Sequence, residues 1–302
     1  MEYALIYTFG NVIEQLALRH FMNEMYPLTL MFYFYVFAVV CALFYAYFIK
    51  QLSFASLKKT FSANTWSTTF VLAESIGTCL WMFSIWYIGI SGMAAFGVMP
   101  KLFKMYYGVK VFNETLTRTQ VILGVGVAIA AVIFGGSGST ESLIGSIFAI
   151  CTAIAYTVAG IAQKHIAGKV SYGHIMCVRN SLNLIFVGGL SLIALTYVED
   201  FTVHNFNISP MMMAGVALLA AYGSVFLRIM KLKSNETVPL STLVVVYEAN
   251  APVLFLAGFF VLGETMTWPQ GFAAVFMMFS TAYFIYINYK KTRKVEKTLM
   301  KS

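Results

Sequence analysis

Charge is what this sequence has least of. Asp, Glu, Lys and Arg make up 11% of its 302 residues while apolar types make up 60%. A soluble domain carries about twice that charged share. Catalytic punctuation is also missing. The four histidines, His20, His165, His174 and His204, lie at or near connections, and no HExxH or Gly-x-Ser-x-Gly arrangement occurs. Large polar loops that could form a catalytic domain are absent too, so an enzyme is not expected. The four cysteines, Cys41, Cys79, Cys151 and Cys177, sit inside hydrophobic stretches at spacings that match neither a disulfide framework nor a metal site. No basic residue precedes the first hydrophobic segment, which begins at Tyr3. A cleavable signal peptide needs a positive leading region, so this segment is expected to be retained.

What fills the sequence instead is apolar runs long enough to span a bilayer as helices, which takes roughly 20 residues each. The runs are continuous and do not alternate in period two, which excludes a transmembrane β-barrel. They predict an all-α membrane protein with ten spans, at about 3–21, 27–49, 66–88, 92–111, 117–135, 142–164, 171–197, 210–230, 238–262 and 268–288. Pro27, the stretch Gly89–Gly92, Gly135-Gly136-Ser137-Gly138, Pro210, Pro239 and Pro269 separate them.

Basic residues predict the orientation. Alternate connections hold Lys50, Lys58 and Lys59; Lys110 and Arg118; Lys164 and Lys169; Arg228, Lys231 and Lys233; and the tail Lys290, Lys291, Arg293, Lys294 and Lys297. The intervening ones hold Arg19 and acids such as Glu24, Glu199 and Asp200. Because positive loops stay inside, both termini are expected in the cytoplasm. The net charge of +8 therefore suits a membrane surface and not a nucleic acid.

The two halves repeat. Residues 111–123 read VFNETLTRTQVIL and residues 261–273 read VLGETMTWPQGFA, placing Glu114 and Gln120 against Glu264 and Gln270. One copy follows span four and the other span nine. A five-helix unit is odd, so its copy must insert upside down, and inverted repeats are the usual build of secondary transporters. The expected organisation is residues 1–137 as the first five-helix repeat, 138–290 as its inverted copy, and 291–302 as a basic cytoplasmic tail.

These motifs resemble the drug/metabolite transporter superfamily, which includes EamA-type exporters and nucleotide-sugar carriers. The shared pattern is a proline-bearing helix ending in Leu-Gly-Glu, then a polar turn, Gln and a Gly-rich helix. Here it reads Pro252, Leu262-Gly263-Glu264, Gln270-Gly271, and more loosely Pro100, Glu114, Gln120, Gly124. The resemblance covers essentially the whole chain. It implies ten helices in two five-helix repeats and a carrier function, and leaves the cargo open.

Ionisable residues deep in apolar runs are costly and usually face a cavity or a partner. Six stand out: Glu14, Glu74, Lys101, Lys104, Arg179 and Glu248. At ~1.5 Å per helical residue, Glu74, Lys101 and Glu248 fall near the midplane. Three acids and three bases can be neutral overall, which admits two readings: an ion-pair network joining helices, or a polar central cavity that binds cargo or a proton. Helical spacing adds Tyr7 and Asn11 beside Glu14, Thr78 and Trp81 beside Glu74, and Asn183 beside Arg179. Tyr247 and Asn250 add polar groups to span nine. The expected cargo-binding set is Glu14, Glu74, Trp81, Lys101, Lys104, Arg179, Asn183, Tyr247 and Glu248.

Lys101-x-x-Lys104 looks like the lysine pair that faces phosphate-bearing cargo in nucleotide and nucleotide-sugar carriers, and Asn180-x-x-Asn183 is similar to an Asn-rich stretch there. Those carriers hold a basic pair in helix nine where this chain has Glu248-Ala249-Asn250-Ala251, which argues against a polyphosphate. The leading expectation is a carrier of a small polar or charged metabolite such as an amino acid. An organic-cation or drug exporter and a nucleotide-sugar-type antiporter are the alternatives. No cofactor or metal is implied, although Glu74 or Glu248 could couple transport to protons. A small-molecule substrate and the lipid bilayer are the expected partners, with a monomer or homodimer as the assembly. Short connections and no targeting tail predict a bacterial inner membrane.

Overall fold

The computed structural model describes residues 2–49, 65–97, 99–100, 118–136, 139–166, 170–198, 201–237 and 250–299. The described residues are helical with no strand among them. In chain order the helices are α1 (Glu2–Glu24), α2 (Pro27–Phe48), α3 (Thr65–Phe96), α4 (Arg118–Gly136), α5 (Thr140–Ile166) and α6 (Tyr172–Tyr197). They are followed by a short 3₁₀ turn (Val203–Phe206), then α7 (Pro210–Ala220), a π-helical segment (Ala221–Leu227) and α8 (Arg228–Thr237), with no interruption among these last three. The final two helices are α9 (Asn250–Phe260) and α10 (Trp268–Leu299).

Local chemistry explains the helix starts. Tyr26 is extended and Pro27 supplies a ready-made helical φ at the first position of α2. Ser209 accepts a hydrogen bond from the Met212 N–H ahead of Pro210 at the start of α7. At α10 the repeated motif acts as half of a capping box: the Gln270 side chain accepts from the Thr267 N–H at 3.0 Å. The Gln270 amide also donates to Ser142 Oγ at 2.8 Å and to the Phe134 carbonyl at 3.3 Å. One glutamine thus ties the start of α10 to the end of α4 and the start of α5. Helix α10 begins at Trp268, four residues after the motif glutamate Glu264.

Five described stretches are long and apolar enough to cross a bilayer: Pro27–Phe48, Thr65–Phe96, Thr140–Gln163, Tyr172–Tyr197 and Pro210–Ser234. Large apolar side chains such as Phe44, Phe48, Val132, Leu192, Leu218, Phe272 and Phe279 stand exposed on the outside of the bundle. Such a surface fits hydrocarbon and not water, as expected of a membrane-embedded protein. The tightest pairings are α3 with α5, α2 with α6, and α4 with α10. Lys231 lies over the Tyr7 ring and Lys233 over the Tyr3 ring, which puts the start of α1 and the end of α8 at one end of the bundle.

The break between spans three and four falls at Gly89, inside the stretch the sequence marks as their separator. Two other boundaries differ from the sequence reading. The helix expected to end near residue 230 continues to Thr237. Helix α10 runs to Leu299, so the basic tail begins inside it.

Candidate functional site

Glu74, on α3, is buried in the bundle and receives two guanidinium groups from two other helices. Arg228 Nη1, at the start of α8, lies 2.6 Å from Glu74 Oε1, and Arg179 Nε, on α6, lies 3.5 Å from Oε2. The side chains of Glu74 and Arg179 are 6% and 5% exposed, while that of Arg228 is 22% exposed. Arg179 also donates to Asn180 Oδ1 at 3.2 Å, and Asn180 in turn donates to the Ala38 carbonyl at 3.2 Å, linking α6 to α2. One turn along α3, Thr78 donates to the Glu74 carbonyl at 2.8 Å and accepts from Tyr156 Oη at 3.3 Å.

The π-helical segment shapes this site. An isolated wide turn shifts the helical register that follows it, and such turns concentrate at functional sites. The segment packs against α1, α2 and α6 and hands the chain to Arg228. Within it, Gly223 lies against the Glu14 carboxylate of α1, where a β-carbon would collide. Among the described residues no hydrogen bond or ion pair reaches that carboxylate, although Arg228, Arg179 and Lys231 all lie within its electrostatic range. Asn183, one turn beyond Arg179, is fully buried, and neither of its amide atoms finds a hydrogen-bond partner among the described residues.

The structure therefore gathers Glu14, Glu74 and Arg179 around one place, with Asn183 on the neighbouring turn of α6. Trp81 packs against the main apolar core. Lys101, Lys104, Tyr247 and Glu248 lie outside the described residues. Arg228 and Lys231 were expected in a cytoplasmic connection, yet both belong to the charged cluster. Arg228 closes the apolar stretch that Pro210 opens, and only the continuation of the helix to Thr237 places it inside a span.

A second, partly buried ion pair has different partners. At Gly89 the backbone of α3 takes φ 71° and ψ 178°, the left-handed side that favours glycine, and the helix restarts. The restart exposes two N–H groups, and Glu264 accepts both: Ile90 N to Oε1 at 2.8 Å and Ser91 N to Oε2 at 2.9 Å. Arg19 lies 3.3 Å from Glu264 Oε1 and donates to the Ile85 and Trp86 carbonyls at 3.2 and 3.4 Å. An acid caps the new helix start and a base caps the old helix end, as the helix dipole requires. Arg19 was expected in an external connection, and Glu264 was legible only as a motif residue.

No family model matches the chain, and no curated protein sequence does. Twenty-two chains of solved structures match it in fold. One, described as "Crystal structure of protein", superposes with a TM-score of 0.57 at 14% identity, covering 92% of this chain and 96% of that one. At that identity the likeness concerns the fold alone. It extends over nearly the full length of both chains.

Proposed function

We propose that this chain is a secondary transporter of the drug/metabolite superfamily type, with ten spans in two inverted five-helix halves. It moves a small polar or charged organic metabolite, such as an amino acid, by alternating access through a cavity at the Glu74 cluster. Both termini lie in the cytoplasm, and a bacterial inner membrane is the expected setting. The observation that carries this reading is the Glu74–Arg179–Arg228 arrangement. These three charges come from three helices and, among the described residues, are joined through side chains, so they can exchange partners without unravelling backbone. Buried charges add little stability over apolar packing, and membrane charges mark cargo and ion paths. The repetition of Glu114 and Gln120 by Glu264 and Gln270 in the sequence supports the inverted halves.

Among the described residues the cluster holds two acids, Glu14 and Glu74, against three bases, Arg179, Arg228 and Lys231. That balance favours a metabolite with an acidic group over the organic-cation alternative. The test is counterflow in proteoliposomes loaded with unlabelled amino acids, organic acids, quaternary amines or nucleotides. Faster uptake of the labelled compound when its unlabelled form is trapped inside is the expected result. Uptake indifferent to the trapped compound would indicate a channel and overturn the proposal.

A further inference from the structure

We infer that the cargo is an organic carboxylate, and that its carboxylate takes the place of Glu74 on Arg228. The inference deepens the transport reading and rests on it for the word cargo. Its physical content, exchange of one carboxylate for another on a named guanidinium, is testable without transport.

Four observations carry it. First, a guanidinium is a planar fork that matches a carboxylate, and Arg228 already holds one at 2.6 Å. Second, Arg228 is the more exposed of the two arginines on Glu74 and follows the π-helical segment, so it is the one a ligand can reach. Third, departure from Arg228 does not strand Glu74, because its other oxygen already faces Arg179 Nε. No described backbone N–H holds the Glu74 carboxylate, so a side-chain rotation suffices. Fourth, the described cluster carries one more base than acid. One incoming carboxylate neutralises the excess, whereas a cation would double it. Lys231, one turn beyond Arg228 and lying over the Tyr7 ring, offers a second cation to the same ligand.

The exchange has a mechanical consequence. Glu74 is the ionic link between α3 and α8, and a cargo carboxylate on Arg228 replaces that link by one between ligand and α8. Binding thus releases α3 from α8, giving the cargo different affinities for the linked and released states, which any ligand-driven change requires.

The experiment is a carboxylate rescue on purified full-length protein in nanodiscs. Glu74→Ala vacates the site on Arg228. Acetate, succinate and L-glutamate are titrated against it, with inorganic phosphate and choline as controls, and melting temperature is recorded. At least one carboxylate is expected to raise the melting temperature saturably, by about 5 °C at saturation. That rescue is expected to vanish when Arg228→Met is added. If Glu74→Ala does not fold, Glu74→Gln serves with the same titrants. Stabilisation by no carboxylate, by choline or phosphate alone, or a rescue that survives Arg228→Met overturns the inference. Counterflow separates this from the transport reading. Carboxylate rescue without counterflow of any compound leaves the site and removes the carrier. Counterflow of a cation without rescue leaves the carrier and removes the carboxylate.

Discussion

Two ion assemblies sit in this bundle, one buried and one partly buried, and they differ in what they touch. Arg19 and Glu264 spend their charges on backbone: two N–H groups on one side of the Gly89 break and two carbonyls on the other. Glu74, Arg179 and Arg228 meet through side chains. Both are at least partly buried, so burial alone cannot tell a structural pair from a functional one. The partner does. Charges fixed to backbone hold a helix break that would otherwise leave polar groups bare, which is severe in hydrocarbon. Charges held only by side chains are free to change partners.

The largest expected effect follows from removing the backbone anchor. Glu264→Ala strips both acceptors from Ile90 and Ser91 and leaves Arg19 without its acid. Breaking a buried pair from one side costs about 3–5 kcal/mol, enough to abolish expression or lower the melting temperature steeply. Gly89→Ala should follow closely, since a left-handed residue with a β-carbon costs about 1–2 kcal/mol and that carbon would strike the Glu264 carboxylate. Thermal melts of purified protein check both. If Glu264→Ala melts within a few degrees of the parent, the anchor reading fails.

Multiple variants sharpen the contrast. Glu74→Gln with Arg179→Met and Arg228→Met removes the whole three-charge set and leaves no described backbone group bare, so stability should return to within about 1 kcal/mol of the parent. Transport should still fall by at least about a hundredfold, as loss of a charge contact worth roughly 3 kcal/mol implies. Arg19→Met with Glu264→Ala should recover far less, because the helix ends remain uncapped. Equal recovery in the two multiple variants would erase the distinction between the assemblies.

The same contrast explains what could be read from the sequence. Helix positions were legible because roughly 20-residue apolar runs have few other uses, and turn residues such as Pro27 and Pro210 coincide with real helix starts. Glu74 and Arg179 were legible as charges stranded in such runs. Arg228 was not: a base near the end of an apolar stretch reads as a flanking residue, and uniform hydrophobicity conceals a π-helical turn. The Arg19–Glu264 pair was hidden for a different reason. Its logic is the helix break at Gly89, and sequence pattern showed a turn there without showing which distant side chains close it. The glutamine of the repeated motif announced itself by repetition, yet its cap and its bonds to Ser142 and Phe134 needed coordinates.

A smaller effect is expected at the π-helical segment. Gly223→Ala pushes the Glu14 carboxylate away without touching either ion assembly directly. Overpacking of this kind costs about 1–3 kcal/mol. Transport should weaken more than stability, because Glu14 shares its surroundings with Arg228 and Lys231. Equal losses in the melt and in counterflow would make Gly223 a packing residue only.

The smallest stability change should come with the opposite sign. Asn183 is fully buried with both amide atoms unpartnered among the described residues, and an unmet buried polar group costs about 1–3 kcal/mol. Asn183→Leu, similar in volume and free of that penalty, should leave the melting temperature unchanged or raise it by a few degrees. If the amide faces cargo beside Arg179, counterflow should drop in the same variant. A stabilised protein that transports worse is the signature of a residue kept for its ligand. A destabilised one would mean that Asn183 has a structural partner, placing it with the Arg19–Glu264 anchor rather than with the Glu74 cluster.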